Sequence, residues 1–348
     1  MTMTTSMNDK SSSSTVLVTG AAGFLGQRIA RSLLAEGVTD LRLHVRHTAP
    51  QGLVEALQRD FPAARIEIGT GNLLARGTLT PLVQGVGCVV HAAAGMKGGA
   101  ADMFANTVIG TRNLLEAAGE QGVRRVVLIS SFAVFRTEQL SPGATLDETT
   151  PTETVGIEKG AYGYAKTRQE QLFREFEQRF GFESVVLRPG VIYGPGGGAL
   201  SPRVGLKAMG FFFSLGGKAL LPLTYVDNCA DAVARATLHA PSGAVFSVVD
   251  DELPTCSAYL RAYCRSVQKM RVLPVPHWAL VKGAAWLQHY HKVSKGQLPA
   301  VFTPYVVRSM FTPLQYSNAA LKQIGWAPRV STAEGMRRSF EAWKAQGR

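Results

Sequence analysis

The sequence predicts an α/β fold, a doubly wound parallel sheet followed by a smaller and mostly helical C-terminal part. Two observations carry this. From Val16 to about Asp250, short β-branched runs alternate with stretches of helical spacing, the pattern of parallel strands joined by crossover helices. Beyond Pro189 that alternation breaks into glycine-punctuated apolar chain and then into helical spacing that holds Trp278, Trp286, Trp326 and Trp343.

Residues 1–14 are polar and carry too few bulky side chains to offset their ordering entropy, so they read as a disordered tail without the apolar core of a secretory signal. The strand runs follow: Val16–Thr19, Leu41–Val45, Arg65–Ile68, Cys88–Ala92, Arg125–Ile129, Ser184–Leu187 and Val245–Val248. Several lack polar alternation, as strands covered on both faces should. Helices are expected over Phe24–Glu36, Thr107–Gln121 and Tyr162–Phe180, the last stopped by Gly181. The segment 204–221 reads as an excursion from the sheet, and its Phe211–Leu215 run as an apolar wall, a membrane-facing lip or ordinary core.

Composition narrows the class. The chain has 348 residues, 46% of them hydrophobic, enough for a large core. No run reaches eighteen apolar residues, so a membrane span is not expected. Four cysteines without a CxxC pair suggest neither disulfides nor a metal site and suit a reducing cytoplasm. The formal charge of +12 suits phosphates, anionic thioesters or an anionic membrane surface. Without a basic run interleaved with aromatics, nucleic acid is not an expected partner.

The first strand leads into Gly20-Ala-Ala-Gly23-Phe-Leu-Gly26 and then a helix. That order makes a pyrophosphate cradle of the Rossmann type: Gly20 for the tight turn, Gly23 for close backbone approach and Gly26 for helix–strand packing. Ala22, Phe24 and Leu25 belong to the same turn. A selective NAD site carries an acid at the end of the second strand; here the chain reads His44-Val-Arg46-His47. Arg46 suits a 2′-phosphate instead, so NADP(H) is preferred, with NAD(H) as the alternative. Asn72 and Leu73 are assigned to the adenine loop, and Ala92 and Ala93 are small enough to leave the cofactor room.

Tyr162 and Lys166 stand four apart on one helix face, where a cation favours the phenolate and moves the phenol toward a pKa useful for proton transfer. Ser131 ends the Arg125–Ile129 strand, on the side where open α/β sheets bind ligands, and is read as a donor to a substrate carbonyl. Its neighbour Ser130 is read as a structural hydroxyl, and His91 as a satisfied core histidine.

Across roughly 15–345 these landmarks, with Asn106–Thr111, Leu187–Pro195 and Tyr225–Asn228, resemble the extended short-chain dehydrogenases/reductases, also called the NAD-dependent epimerase/dehydratase family. The resemblance implies a Rossmann-type dinucleotide domain (15–190 and 223–252) and a substrate-binding domain (191–222 and 253–346). It implies that Tyr162 exchanges a proton, that Lys166 holds the nicotinamide ribose, that Ser131 orients the substrate oxygen, that Asn106 supports a water relay, and that Pro189 and Val191 line the nicotinamide pocket. A homodimer is also implied. Departures point within the family. Val191 replaces an asparagine that contacts the diphosphate of sugar nucleotides, Leu221-Pro-Leu lacks their arginine, and Phe132-Ala-Val-Phe135 lacks the acid pair of dehydratases. What remains resembles the 3β-hydroxysteroid dehydrogenase and dihydroflavonol reductase branch, which implies interconversion of a ketone and a secondary alcohol on a bulky apolar substrate, steroid-like, flavonoid-like or 3-oxoacyl-like. Two alternatives stay open: a sugar-nucleotide 4-epimerase with retained NAD, and a non-catalytic dinucleotide-binding scaffold or sensor. Contact with a membrane periphery is left open as well.

Overall fold

The computed structural model describes residues 15–96, 98–293 and 303–347; the expected tail, 1–14, lies outside them. Seven parallel strands form the main sheet: β1 (Thr15–Thr19), β2 (Asp40–Val45), β3 (Arg65–Thr70), β4 (Val86–His91), β5 (Arg125–Ile129), β6 (Glu183–Pro189) and β7 (Ala244–Val248). Their spatial order is β3-β2-β1-β4-β5-β6-β7, so the strand order reverses beside β1 and the carboxyl ends of β1 and β4 open a crevice there. All seven strands fall where the apolar runs predicted them, with ends shifted by one or two residues.

The sheet is continuous and apolar because both faces are covered. Leu17 and Val18 of β1 and Val126 and Val127 of β5 are fully buried on opposite sides. One face packs against α1 (Gly26–Ala35) and α4 (Val226–His239), the other against α2 (Gly110–Glu120) and α3 (Gly160–Phe180). α1 starts two residues later than its spacing suggested. The helix expected from Thr107 is entered through a short helix, Ala100–Phe104, and a π-helical turn, Ala105–Ile109. α3 stops at Gly181, which adopts a left-handed conformation.

Segments 191–222, 253–293 and 303–347 pack largely on each other. Tyr193, Val204, Phe212 and Leu221 meet Tyr259 and Tyr263 of α5 (Cys256–Ser266) and Phe340 and Trp343 of α8 (Thr332–Ala345) in one cluster. This part is not all helical: Gly205–Ala208, Phe211–Ser214 and Val272–Pro274 form a three-stranded sheet. Phe212, Ser214 and Leu215 are buried while Phe211 and Phe213 are half-buried, so the Phe211–Leu215 run turns one side to the core. Leu321 and Trp326 leave that part and join the core under the main sheet. Two further helices, α6 (His277–Val293) and α7 (Pro304–Phe311), pack together through Ala284, Val307 and Phe311. Among the described residues no helix is long and apolar enough to cross a membrane.

Candidate active site

A cavity of about 960 Å³ opens over the carboxyl ends of β1, β2, β4 and β5 and runs beneath the second part of the chain. Its floor is the glycine turn. Gly20 has φ +70°, and a Cβ there would stand 3.0 Å from the backbone of Ala93; a Cβ on Gly26 would meet the Gly20 carbonyl oxygen at 2.1 Å. Side chains are therefore excluded from both positions by backbone. No side chain caps the start of α1; the N–H groups of Gln27 and Arg28 donate to the Gly23 and Leu25 carbonyls, while the positive end of the helix is directed at the glycine turn and suits an anion there. Gly20, Ala22, Gly23, Phe24, Leu25, Gly26, Arg46, Leu73, Ala92, Ala93 and Val191 all line the space. Asn72 does not. Its Oδ1 accepts from the Leu74 N–H at 3.1 Å, an Asx turn that spends the side chain on its own loop. Pro189 is also outside the lining, displaced by Gly190 and Val191.

The chemistry-bearing side chains meet on the opposite wall. α3 presents Tyr162 in its first turn, and the Ser131 hydroxyl, which the end of β5 delivers, stands beside the phenol on the same cavity wall. Burial pushes the phenol above its ordinary value and the Ser131 hydroxyl only partly opposes this. This reverses the direction expected from the four-residue spacing. Lys166 is turned inward, its Nζ donating to the Ile129 carbonyl and to Gln169 Oε1, each at 2.8 Å. Buried, it is held down at about 8, with Glu170 acting in the opposite sense.

Behind Lys166 lies a polar network in which each proton can be assigned. Thr111 donates to the Thr107 carbonyl, so its oxygen accepts from Gln169 Nε2 and from His91 Nε2, both at 2.8 Å. His91 therefore carries its proton on Nε2 and accepts from Thr19 at Nδ1, 2.7 Å away. Thr19 in turn accepts from the Ala93 N–H at 3.3 Å. Burial first, and then the Lys166 charge, hold His91 down at about 3; it is a neutral core histidine. Ser130 is structural too, donating to Glu170 at 2.6 Å, while Glu170 also receives both Nε and Nη2 of buried Arg188.

Asn106 sits in the π-helical turn and lines the cavity, with both ends of its amide engaged. Nδ2 donates to the Asp102 carbonyl at 2.8 Å, and Oδ1 accepts from Arg46 Nη2. Arg46 and Asn106 thus close one edge of the cavity together. Sequence reasoning missed Lys159, Arg203 and Met310 in the lining. Lys159 lies one turn before Tyr162 and has that signal; Arg203, in the glycine-rich excursion, carries none. Among the described residues no cluster of His, Cys, Asp or Glu is arranged to hold a metal, and all four cysteines are free thiols.

Known proteins resemble the chain in sequence and in fold. The model of the NAD dependent epimerase/dehydratase family matches residues 16–248. The chain is 28% identical to a 2-alkyl-3-oxoalkanoate reductase of Stenotrophomonas maltophilia, across 93% of this chain and 97% of that one. It is also 28% identical to a decarboxylating sterol-4-alpha-carboxylate 3-dehydrogenase of Saccharomyces cerevisiae, across 95% and 98%. The crystal structure of gox2253 superposes with a TM-score of 0.76 at 25% identity, covering 96% of this chain and 98% of that one.

Proposed function

The chain belongs to the NAD dependent epimerase/dehydratase family and is an NAD(P)-dependent oxidoreductase of the extended short-chain type, and from that premise we propose that it interconverts a ketone and a secondary alcohol on a bulky, largely apolar substrate, with Tyr162 as acid and base. One observation carries the reading: the Tyr162–Ser131 pair faces the same cavity as a glycine cradle from which side chains are excluded. When bound, a nicotinamide dinucleotide supplies or accepts the hydride. Ser131 holds the substrate oxygen, and Tyr162, kept protonated by burial, gives that oxygen its proton during reduction. Lys166, four residues along the same helix and charged below about pH 8, is assigned to the ribose and to the phenolate left behind. The relatives support the substrate class, one being an oxoalkanoate reductase and another a sterol dehydrogenase. Val191 and Pro222 line the cavity where the resemblance expects contacts to a sugar-nucleotide diphosphate, which supports ketone reduction over epimerisation. Tyr162→Phe is expected to abolish turnover while sparing dinucleotide binding, read by fluorescence titration; full activity in that variant refutes the proposal.

NADP(H) is the proposed cofactor, through Arg46, and the cytoplasm the proposed compartment, on the four free thiols. A homodimer is proposed as well, to be read by light scattering. Peripheral contact with an anionic lipid surface is assigned to α6. Trp278, Lys282, Trp286 and Tyr290 recur every four residues along its exposed face, with Trp278 and Trp286 65% and 63% accessible. Lys282 lies over the Trp278 ring and Trp286 stacks on Tyr290. No Asp or Glu occurs from Leu253 to Ala333. Amphipathic aromatic rings beside cations suit the headgroup level of an anionic bilayer, and α6 packs on α7, whose Val306 and Met310 line the cavity.

A further inference from the structure

Among the described residues no Asp or Glu lines the cavity, whereas Arg46, Lys159, Lys166 and Arg203 do. Two of these cations are assigned to the cofactor by the reading above. Lys159 is compensated: its Nζ lies 3.3 Å from Glu153 Oε1 and donates to the Phe135 carbonyl. Arg203 remains. It is half-buried, and among the described residues no carboxylate lies within ion-pair distance of it. Its Nη1 donates to the Met310 carbonyl at 2.9 Å, and the guanidinium stands near the Tyr316 phenol. Both groups are neutral, so they aim the guanidinium without cancelling its charge. Leu200, Pro202, Val306 and Met310, with Ser201 and Ser309 among them, line the same part of the cavity, a largely apolar wall in which an unpaired cation is costly.

We infer that Arg203 is the receptor for an anionic group on the substrate, and that the substrate is an amphiphilic acid: an apolar body with a carboxylate taken by the guanidinium fork. This rests on the oxidoreductase reading and deepens it. The position of Arg203 favours substrate over cofactor. It sits among residues of the second part of the chain and beside Lys159, whose ammonium feels its charge, and not against the glycine turn. The apolar neighbours favour a carboxylate on a hydrocarbon over a sugar-nucleotide diphosphate, and a planar fork of N–H donors matches the two oxygens of a carboxylate. Lys159, although paired, adds to the positive field on the same wall.

The test is equilibrium binding, so that it reads Arg203 without turnover. Decanoate and its neutral isostere decanamide are titrated calorimetrically into the full-length protein saturated with NADP+, for the natural chain, Arg203→Leu and Arg203→Lys. A charge-assisted bond of about 1.5–3 kcal/mol corresponds to a preference of roughly 10- to 150-fold for the carboxylate. The expected result is a preference of that size, collapsing to about one in Arg203→Leu and partly kept in Arg203→Lys, with unchanged thermal melting as the check on folding. Equal binding of the two ligands, or a preference that survives Arg203→Leu, overturns the inference. So does tighter, Arg203-dependent binding of UDP, which would give the site to a diphosphate. Failure of the oxidoreductase reading is separate: it shows as full activity in Tyr162→Phe, whatever decanoate does.

Discussion

Replacing Arg46 by leucine tests the cofactor assignment most directly, because the structure supplies the competing interaction. Arg46 is exposed at the end of β2 and donates to Asn106 Oδ1 across the cavity edge. To take a 2′-phosphate it must exchange that neutral acceptor, worth about 0.5–1.5 kcal/mol, for a charged one worth about 1.5–3 kcal/mol. The net gain is about 1–2 kcal/mol, or roughly a 5- to 30-fold preference for NADPH over NADH. Exposure keeps the figure toward the lower end and makes it shrink with added salt. Nucleotide fluorescence titrations at fixed ionic strength are expected to show that preference, to lose it in Arg46→Leu chiefly through weaker NADPH binding, and to increase it in Asn106→Ala, where Arg46 has no rival partner. A preference for NADPH that persists in Arg46→Leu, or tighter binding of NADH by the natural chain, refutes this reasoning.

Two further outcomes are expected. Lys166 is charged below about pH 8 and neutral above it, while the Tyr162 phenol, raised by burial, keeps its proton through that range; kcat/KM for reduction should therefore hold level below neutrality and fall above about pH 8. Because the Glu170 charge props up the ammonium, Glu170→Gln should move the falling limb to lower pH, and a limb that stays in place or moves upward contradicts the assignment. Trp278→Ser with Trp286→Ser should reduce co-sedimentation with vesicles containing anionic lipid; absence of vesicle binding by the natural chain refutes the membrane reading, and loss of a dimer in the double variant by light scattering would give that face to a second copy.

The legibility of the chain in its sequence followed from how many neighbours fix each element. β1, β4, β5 and β6 are buried on both faces, so their central positions are apolar without alternation and leave a short unbroken run. The glycine turn was readable because backbone atoms, not mobile side chains, exclude a Cβ at Gly20 and Gly26. The helix Leu53–Asp60 went unnoticed, since among its eight residues only Leu57 is buried and one apolar contact makes no periodicity. The strands Gly205–Ala208 and Phe211–Ser214 were hidden by the glycines that flank and join them. Asn72 carried the right residue type for a ligand contact, but its short amide satisfies the adjacent backbone first. The Tyr162 shift was misjudged for a different reason: spacing on a helix says that Lys166 is near, not that it is turned toward Ile129 and Gln169. Arg203 was invisible because what singles it out, a missing counter-charge, is a property of its surroundings in space.

The assigned protons behind Lys166 also limit where Tyr162 can be recharged. A relay needs each member to accept on one side while donating on the other, and to reverse. Here the Thr111 hydroxyl collects two donors and discharges into the Thr107 carbonyl, and Gln169 meets Lys166 through an amide oxygen; neither carbonyl oxygen has a proton to pass on. These side chains by themselves therefore form no relay; they are a brace that keeps the ammonium in place. That side of Lys166 is closed to proton traffic through side chains alone, and Tyr162 faces the same opening through which cofactor and substrate themselves come and go.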